Sequence, residues 1–357
     1  MKRTPALVTL LVLAGCAVGP GAPPDGPDDG VPHGIILVVG DGMGVAHFAL
    51  AGQLRGDDFE IGRLPHTALI DTVSADQRAT DSAASATAYA TGVRTKNHYL
   101  GIDADGRPHQ TVVELAETYG MATGLVTTAP LADATPAAFV VHARDRHEAP
   151  AVTRLFVSGG VDVLVSGGLG KLGSGGVPSL EALAETGGYQ VATTATELRA
   201  VGDGPVLAVL PSGPFDGDSP AMSLPALAEW AIERLARDPD GFFLLLEHEG
   251  TDSASHENDR AALEASLRSL DETVGVAMKF ARARGDILVI VVGDHETGGL
   301  QLAGTWDEPA DSFGSRHHTG AWIPLFADGP GAAFFGGLQE NTAVGRALLE
   351  LVGYMGE

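Results

Sequence analysis

The chain has 357 residues and a net charge of −24 at pH 7, from 22 basic and 46 acidic side chains. Hydrophobic residues make up 44% of it, which is typical of a globular domain with a buried core. The acidic balance argues against nucleic acid and anionic lipid as electrostatic partners. An anionic substrate would therefore need a local cluster of metal ions or arginines that overcomes the field of the whole protein.

The N-terminus has the pattern of a bacterial export signal. Two basic residues, Lys2 and Arg3, precede an apolar stretch that is too short to span a bilayer. The stretch ends in Leu13-Ala14-Gly15-Cys16, which resembles a lipobox, so we predict a signal peptide over residues 1–15 and lipid attachment to Cys16. The protein would then be exported and anchored to a bacterial membrane, facing the periplasm or the cell exterior. An ordinary signal peptide with a coincidental cysteine is the alternative.

The composition after the export signal predicts a tether followed by one domain. Cys16 is the only cysteine, which excludes disulfides and cysteine-based metal sites from the mature domain. Residues 16–33 are rich in Gly, Pro and Asp and cannot bury apolar area, so they predict a flexible tether. From Gly34 onward, apolar runs alternate with helical patterns, without an internal repeat or a clear linker. We therefore predict a single domain over residues 34–357.

Seven apolar runs predict strands that are buried on both faces, because they do not alternate with polar residues. The runs are Gly34–Gly40, Met121–Ala129, Val161–Gly168, Gly204–Pro211, Gly241–Gly250, Asp286–His295 and Ala321–Gly329. Helical patterns lie between them, among them Thr111–Gly120, Ser223–Asp238 and Glu257–Gly285. This alternation predicts an α/β fold with a central, largely parallel sheet that helices cover on both faces. In such a sheet, binding sites form beyond the carboxyl ends of the strands.

Polar side chains follow the first strand and begin the next helical stretch. Asp41 comes directly after the first strand, among glycines that let a ligand approach the backbone. The run RATDSAASATAYATG, Arg78 to Gly92, predicts an Ala/Ser-rich helix that begins near Thr80, Asp81 and Ser82. These residues suit helix capping, with Thr80 as the cap, and close packing on the sheet. They also suit a nucleophilic serine at the positive end of a helix, where backbone N–H groups favour phosphate.

The stretch LADATPAAFVVHARDR predicts a second helix with chemistry at both ends. Pro136 is typical of a helix start, with Thr135 or Asp133 as the cap. Arg144 and Arg146 lie near the predicted end of this helix. Either guanidinium could bind two phosphate oxygens at once, or it could simply lie in solvent at a helix end.

Three later strands are flanked by carboxylates and imidazoles. In chain order these are Glu247, Asp252 and His256, then Asp294 and His295, then His317 and His318. Singly, each is typical of a turn, a cap or a structural histidine. Together, the Asp and His side chains suit zinc, and carboxylates with a hydroxyl suit magnesium. Asp252 and His256 are one helical turn apart and could face one ion, whereas Asp294 and His295 would need a sharp turn to do so.

As a set, these motifs resemble those of the alkaline phosphatase family. DGMG after the first strand, TDSAASATAYATG, DATPAA with the following His and Arg, the Glu, Asp and His after FFLLL, DHETGG and HTG occur in the family's order over residues 34–353. The resemblance implies an alkaline phosphatase-like fold and hydrolysis of small phosphate monoesters through a covalent phosphoserine on Ser82. It also implies that Arg146 holds the phosphate oxygens and that Asp81 orients Arg146.

The same resemblance implies two zinc ions and one magnesium ion. Zinc would lower the pKa of the serine hydroxyl or of a water molecule. The first zinc would be held by Asp252, His256 and His318, the second by Asp41, Asp294 and His295, and the magnesium by Asp41, Thr135 and Glu247, with Asp133 beside it. His317 would then be a neighbour of the first site and not a ligand. The resemblance leaves a monomer and a homodimer both open.

Related activities are partly excluded by these motifs. A sulfatase needs proline two residues and arginine four residues after its nucleophile, but Ala84 and Ala86 follow Ser82 here. A phosphodiesterase of the same superfamily could share the zinc ligands, although it normally lacks the magnesium set that includes Thr135 and Glu247. A lipoprotein that only binds metal or phosphate would not need an activated hydroxyl. The phosphodiesterase and, less favoured, the binding protein are the alternatives.

Overall fold

A central sheet and its covering helices make up the described structure. The computed structural model describes residues 30–211, 222–305 and 310–356. The strands are β1 (Gly34–Gly40), β2 (His66–Asp71), β3 (Ala122–Pro130), β4 (Val163–Gly167), β5 (Gln190–Ala192), β6 (Val206–Val209), β7 (Phe242–His248), β8 (Ile287–Gly293), β9 (Glu296–Thr297), β10 (Leu300–Gln301), β11 (Ser312–Phe313), β12 (His318–Thr319), β13 (Ile323–Asp328) and β14 (Gly337–Glu340). The helices are α1 (Val45–Arg55), α2 (Ser82–Thr91), α3 (Val112–Thr118), α4 (Ala134–Ala137), α5 (Ala149–Val157), α6 (Leu180–Gly187), α7 (Ala195–Ala200), α8 (Leu224–Leu235), α9 (Gly250–Glu257), α10 (Arg260–Arg284) and α11 (Asn341–Gly356).

The main sheet is largely parallel, as predicted. Its strand order is β14-β2-β13-β8-β1-β7-β3-β4-β6-β5. Strand β1 pairs in parallel with both β7 and β8, whereas β13 runs antiparallel to its neighbours β8 and β2. Each of the seven predicted strands is present, as β1, β3, β4, β6, β7, β8 and β13. The predicted fold class is therefore confirmed.

Helices cover both faces of the sheet, which explains the continuous apolar runs of the strands. Phe243 of β7 belongs to a core on one face that includes Tyr89 of α2. Its neighbour Leu244 belongs to a core on the other face that includes Leu227 of α8 and Val274 of α10. Because each fully buried side chain of this size contributes about 1.5–3 kcal/mol, both faces of every central strand stabilise the fold.

The Ala/Ser-rich helix α2 packs closely between the sheet and α11. A Cβ atom added at Gly345 of α11 would collide with the carbonyl oxygen of Ala88, so the small side chains permit this approach. Two side chains of α2 then bond to the end of β8: Ser85 Oγ donates to Asp294 O at 2.7 Å, and the Tyr89 hydroxyl donates to Gly293 O at 2.7 Å. Close packing therefore fixes the N-terminus of α2 beside the carboxyl ends of the central strands.

Some elements of the fold have no clear signal in the sequence. Strand β2 alternates exposed and buried positions next to the edge strand β14, and most of β14 is exposed. The helix predicted for LADATPAAFVVHARDR is wrong beyond its first turn, because α4 ends at Ala137 and the chain then turns back to bridge Ala143 to Leu100. Short edge elements and turns bury too little apolar surface to leave a periodic pattern.

The N-terminal predictions lie outside the described residues. They comprise the signal peptide over residues 1–15, lipid attachment at Cys16 and most of the tether over residues 16–33. Among the helices of the described ranges, none is both long and apolar enough to cross a membrane.

Candidate active site

The polar residues that follow β1, β7 and β8 lie at one edge of the sheet because the three strands are in register. Gly40 of β1 pairs with His248 of β7 and with Gly293 of β8. Asp41 follows β1 directly, Asp294 follows β8, and Glu247 is the penultimate residue of β7. All three carboxylates are buried. The register thus concentrates negative charge at one point of an interior that disfavours isolated charges.

Asp252, His256 and His318 bring their ligand atoms within 4.8 Å of one another. In α9 the Nε2 atom of His256 lies 3.2 Å from Asp252 Oδ2, and the Nε2 atoms of His256 and His318 are 3.2 Å apart. The Nδ1 atoms of both rings bond to carbonyl oxygens, of Arg316 at 2.6 Å and of Thr80 at 2.8 Å. Because a carbonyl can only accept, Nδ1 carries a proton in each ring and Nε2 faces the group.

Asp41, Asp294 and His295 form a second group, again with ligand atoms within 4.8 Å of one another. His295 Nε2 lies 3.4 Å from Asp41 Oδ1 and 3.3 Å from Asp294 Oδ2. The sharp turn after β8 is stabilised by Asp294 Oδ1, which accepts from the N–H groups of His295 at 2.8 Å and Gly42 at 3.0 Å. Gly42 has a φ of 72°, and a Cβ there would lie 2.9 Å from the Cα of Asp252, so only glycine suits this position.

A third set of buried oxygens has no hydrogen-bond partner within the described residues. It comprises Asp41 Oδ1, Asp294 Oδ2, Thr135 Oγ1 and Glu247 Oε1. Thr127 donates to Oε2 of Glu247, so Oε1 is the unpaired oxygen of that carboxylate. Burial raises the pKa of Asp294 to about 7, and burial together with the charge of Asp133 raises the pKa of Glu247 to about 8. Unpaired buried oxygens in a cluster of carboxylates are explained by bound cations, so the residues present fit divalent metal ions.

Ser82 is the first residue of α2 and points at the second group. Its Oγ lies 3.3 Å from His295 Nε2, and the residue is buried. The prediction that Thr80 caps this helix is wrong, because Asp81 is the N-cap and its Oδ1 accepts from the N–H of Ala84 at 3.0 Å. The hydroxyl of Thr80 donates instead to Asp81 O at 3.2 Å. An anion bound at Ser82 would face the N–H groups and the positive end of the dipole of α2.

Arg146 reaches the same place from a loop and not from the end of a helix. Its Nη1 lies 3.4 Å from Asp81 Oδ2, and its Nη2 lies 3.6 Å from Asp133 Oδ1. Its side chain is largely buried, and the neighbouring carboxylates raise its pKa against the opposing effect of burial, so it is a permanent cation beside Asp81, the residue that precedes Ser82. Arg144 is exposed and donates to Asp105 O at 3.2 Å, away from this cluster.

Thr297 joins the first two groups, although the sequence does not single it out. Its Oγ1 bonds to His295 Nδ1 at 3.2 Å and donates to Asp252 Oδ1. This contact places the proton of the His295 ring on Nδ1 and leaves Nε2 facing the second group. Thr297 belongs to the two-residue strand β9, which has no distinctive sequence signal, so only its three-dimensional position identifies it. His317, by contrast, is exposed and belongs to neither group.

A buried histidine of α1 connects the loop after β1 to α9. His47 Nδ1 accepts from the N–H of Gly44 at 3.2 Å, which leaves the ring proton on Nε2, 3.0 Å from Ser255 Oγ. Ser255 in turn donates to Thr251 O at 2.7 Å. Burial lowers the pKa of His47 to about 4, so the ring is neutral at pH 7. This chain of hydrogen bonds connects the loop that carries Asp41 to the helix that carries Asp252 and His256.

Three comparisons place this geometry among known proteins. The sequence model of the family described as Alkaline phosphatase matches residues 33–155 and 213–314. Alkaline phosphatase H of Pseudomonas aeruginosa is 33% identical over 86% of this chain and 82% of its own length. Streptomycin-6-phosphate phosphatase of Streptomyces griseus is 30% identical over 87% of this chain and 88% of its own. A solved variant of TAB5 alkaline phosphatase with Mg bound in its M3 site superposes with a TM-score of 0.84 and 28% identity, covering 91% of this chain and 99% of that one.

Proposed function

The chain belongs to the alkaline phosphatase family of metal-dependent phosphatases, and from this premise we propose that it hydrolyses phosphate monoesters with Ser82 as the nucleophile. The observation that carries the proposal is the position of Ser82 Oγ, 3.3 Å from His295 Nε2 at the N-terminus of α2. Asp81 on one side and Arg146 beyond it complete the surroundings of this hydroxyl. A buried serine that only packed at a helix N-terminus would not need a guanidinium near it and a candidate group of metal ligands beside its hydroxyl.

We propose two zinc ions and one magnesium ion as the cofactors. Asp252, His256 and His318 would hold one zinc, and Asp41, Asp294 and His295 the other, because mixed carboxylate and imidazole sets suit zinc. The third set would hold magnesium through the oxygens of Asp41, Thr135 and Glu247, with Asp133 beside it. The Mg bound in the M3 site of the TAB5 variant supports magnesium as one of the ions. When bound, these ions would supply positive charge that lowers the pKa of hydroxyl groups and offsets charge on the phosphoryl oxygens.

The residues of the chain would carry out the remaining work in two displacements. Ser82 Oγ forms a bond to phosphorus while the bond to the alcohol oxygen breaks, and the alcohol leaves with a proton. Water then forms a bond to phosphorus while the serine–phosphorus bond breaks, which releases inorganic phosphate and restores the hydroxyl. Arg146 binds two non-bridging oxygens in both steps, and Asp81 holds the guanidinium in place.

A covalent-labelling experiment tests the nucleophile. Acid quenching of the enzyme with labelled phosphate monoester is expected to trap phosphoserine in the wild type and not in Ser82→Ala, with turnover reduced by about a thousandfold or more. Ser85→Ala is the matched control, because Ser85 lies one turn along α2 and donates to Asp294 O. That variant should still trap the label. A Ser82→Ala enzyme with full activity would refute the mechanism.

A substrate comparison separates the proposal from its alternative. Hydrolysis of p-nitrophenyl phosphate should exceed hydrolysis of bis(p-nitrophenyl) phosphate by orders of magnitude, and a strong diester preference would establish a phosphodiesterase instead. Zinc and magnesium contents are measured on the same sample. Export, lipid attachment at Cys16 and the choice between monomer and homodimer stay predictions, to be tested by mass spectrometry of the mature N-terminus and by light scattering.

A further inference from the structure

His98, at the exposed edge of the site, has a backbone conformation that is unusual for its residue type. Its φ is 72°, in the left-handed region that glycine adopts without cost and a histidine adopts only at a cost in free energy. The conformation is held from both sides, because the N–H of His98 donates to Asp81 Oδ2 at 3.0 Å and its carbonyl accepts from the N–H of Arg146 at 2.9 Å. Backbone strain held in this way concentrates at functional sites.

The preceding residue makes the position of His98 rigid. Asn97 Oδ1 accepts from the N–H of Asp81 at 3.3 Å, and Asn97 Nδ2 donates to Ala79 O at 3.2 Å. The N–H of Asn97 donates to Asp76 Oδ1 at 3.0 Å. This turn therefore joins the segment before Ser82 to the segment that carries Arg146, and the backbone contacts alone would do so with glycine at position 98.

The imidazole of His98 is thus an addition that the turn does not need. Its side chain is 55% exposed, and its Nδ1 lies 3.4 Å from Asp81 Oδ2. Arg146 Nη1 lies 3.4 Å from the same oxygen, so the imidazole and the guanidinium nitrogen are separated by at most twice that distance. The ring of His147, which is also exposed, lies 5.1 Å from that of His98, centre to centre. Two exposed imidazoles therefore lie next to each other, and that of His98 shares the carboxylate of Asp81 with Arg146.

We propose that His98 and His147 bind an oxyanion on the alcohol part of the substrate, a carboxylate or a second phosphate, and so select phosphate monoesters whose alcohol part carries a negative charge of its own. The inference rests on the proposed function and extends it. A phosphoryl group bound between Ser82 and Arg146 has buried side chains on its inner side, so the alcohol extends towards solvent. Ring N–H groups beside a guanidinium are suitable donors to an oxyanion.

The charge of the whole protein makes such donors necessary for this class of substrate. At a net charge of −24 the average field repels an extra negative charge on the alcohol. Donors close to Arg146 interact with the substrate at short range. Salt screens this short-range attraction less than it screens the repulsion from distant carboxylates. Selectivity for a second oxyanion would therefore depend on these two rings and not on the surface as a whole.

The test compares three substrates that share one ring: phenyl phosphate, 4-carboxyphenyl phosphate and the methyl ester of the latter. For the wild type and for His98→Gly we measure kcat/KM for each, together with the thermal unfolding midpoint. The kcat/KM ratio of 4-carboxyphenyl phosphate to phenyl phosphate should fall about three- to tenfold in His98→Gly. The kcat/KM ratio of the methyl ester to phenyl phosphate should stay unchanged. His147→Ala should lower the first ratio too, with a non-additive double variant, and His98→Asn should restore part of it through its amide donor.

The unfolding midpoint separates binding from a structural role. Glycine suits a φ of 72°, so His98→Gly should unfold at the same temperature as the wild type or up to about 4 °C higher. An unchanged carboxylate ratio in a folded His98→Gly enzyme would overturn the proposal. An equal fall for the methyl ester would also overturn it, because the rings would then contact the aromatic ring and not the oxyanion. Failure of the wild type to hydrolyse phenyl phosphate at all would contradict the proposed function instead.

Discussion

Replacing His47 by leucine is expected to destabilise the fold and to weaken metal binding. Leucine is similar in volume but cannot accept from Gly44 N–H or donate to Ser255 Oγ. The N–H of Gly44 would be left buried without a partner, whereas Ser255 would keep its bond to Thr251 O. One orphaned buried donor costs about 1–3 kcal/mol. The free energy of unfolding, measured with urea, should fall by that amount.

The effect on metal binding follows from the two segments that His47 connects. Without this link, the loop that carries Asp41 and the helix that carries Asp252 and His256 lose their fixed separation. Loss of a group that orients metal ligands typically lowers affinity about 10- to 100-fold. Zinc affinity is measured by competition with a chromophoric chelator. An unchanged zinc affinity in the His47→Leu variant would show that the hydrogen-bond chain does not position the ligands.

His47→Gln is the matched control, and it adds a prediction about pH. Glutamine can accept from Gly44 and donate to Ser255, but it does not titrate. In the wild type, burial lowers the pKa of His47 from 6.5 to about 4, so the neutral ring contributes stability above pH 6.5 that is lost as the pH falls towards 4. A shift of this size corresponds to about 3 kcal/mol. Urea unfolding of the chelated proteins should give a shallower pH profile for His47→Gln between pH 6.5 and 4, and parallel profiles would refute the reasoning.

Two further predictions concern the metal groups. Thr297→Val keeps the shape of the side chain but removes the hydrogen bonds to His295 and Asp252. Zinc affinity, measured by chelator competition, should therefore fall about 10- to 100-fold. An unchanged affinity would exclude a positioning role for Thr297. In chelated protein, burial raises the pKa of Asp294 to about 7 and of Glu247 to about 8. Both carboxyl groups therefore contribute stability below the pKa values that they have in the unfolded chain, which are about 4. That stability is lost as the pH rises through their folded-state pKa values towards 8. Calorimetry should show a falling unfolding temperature over this range, restored by zinc and magnesium; a flat profile would contradict the buried cluster.

The central architecture and much of the candidate site follow from local patterns. The runs of β1, β7 and β8 are apolar at successive positions, which only strands covered on both faces require. Parallel strands that are neighbours in register end at one edge, so residues directly after them, such as Asp41 and Asp294, meet without further information. The spacing of Asp252 and His256 is likewise local, because one helical turn places both on one face of α9.

The tertiary structure decided what depends on contacts between distant segments. The ring of His318 is oriented by the carbonyl of Thr80, 238 residues away, and no periodic pattern encodes such a contact. The cap of α2 is Asp81 and not Thr80, because Asp81 Oδ1 accepts from the N–H of Ala84. Its other oxygen lies near Arg146, which comes from a loop where the sequence predicts a helix. The strained backbone of His98 depends on hydrogen bonds to those same two residues. Hydrophobic periodicity reports which face of an element is buried, whereas the orientation of a polar side chain is set by its partners, and those partners come together only when the chain folds.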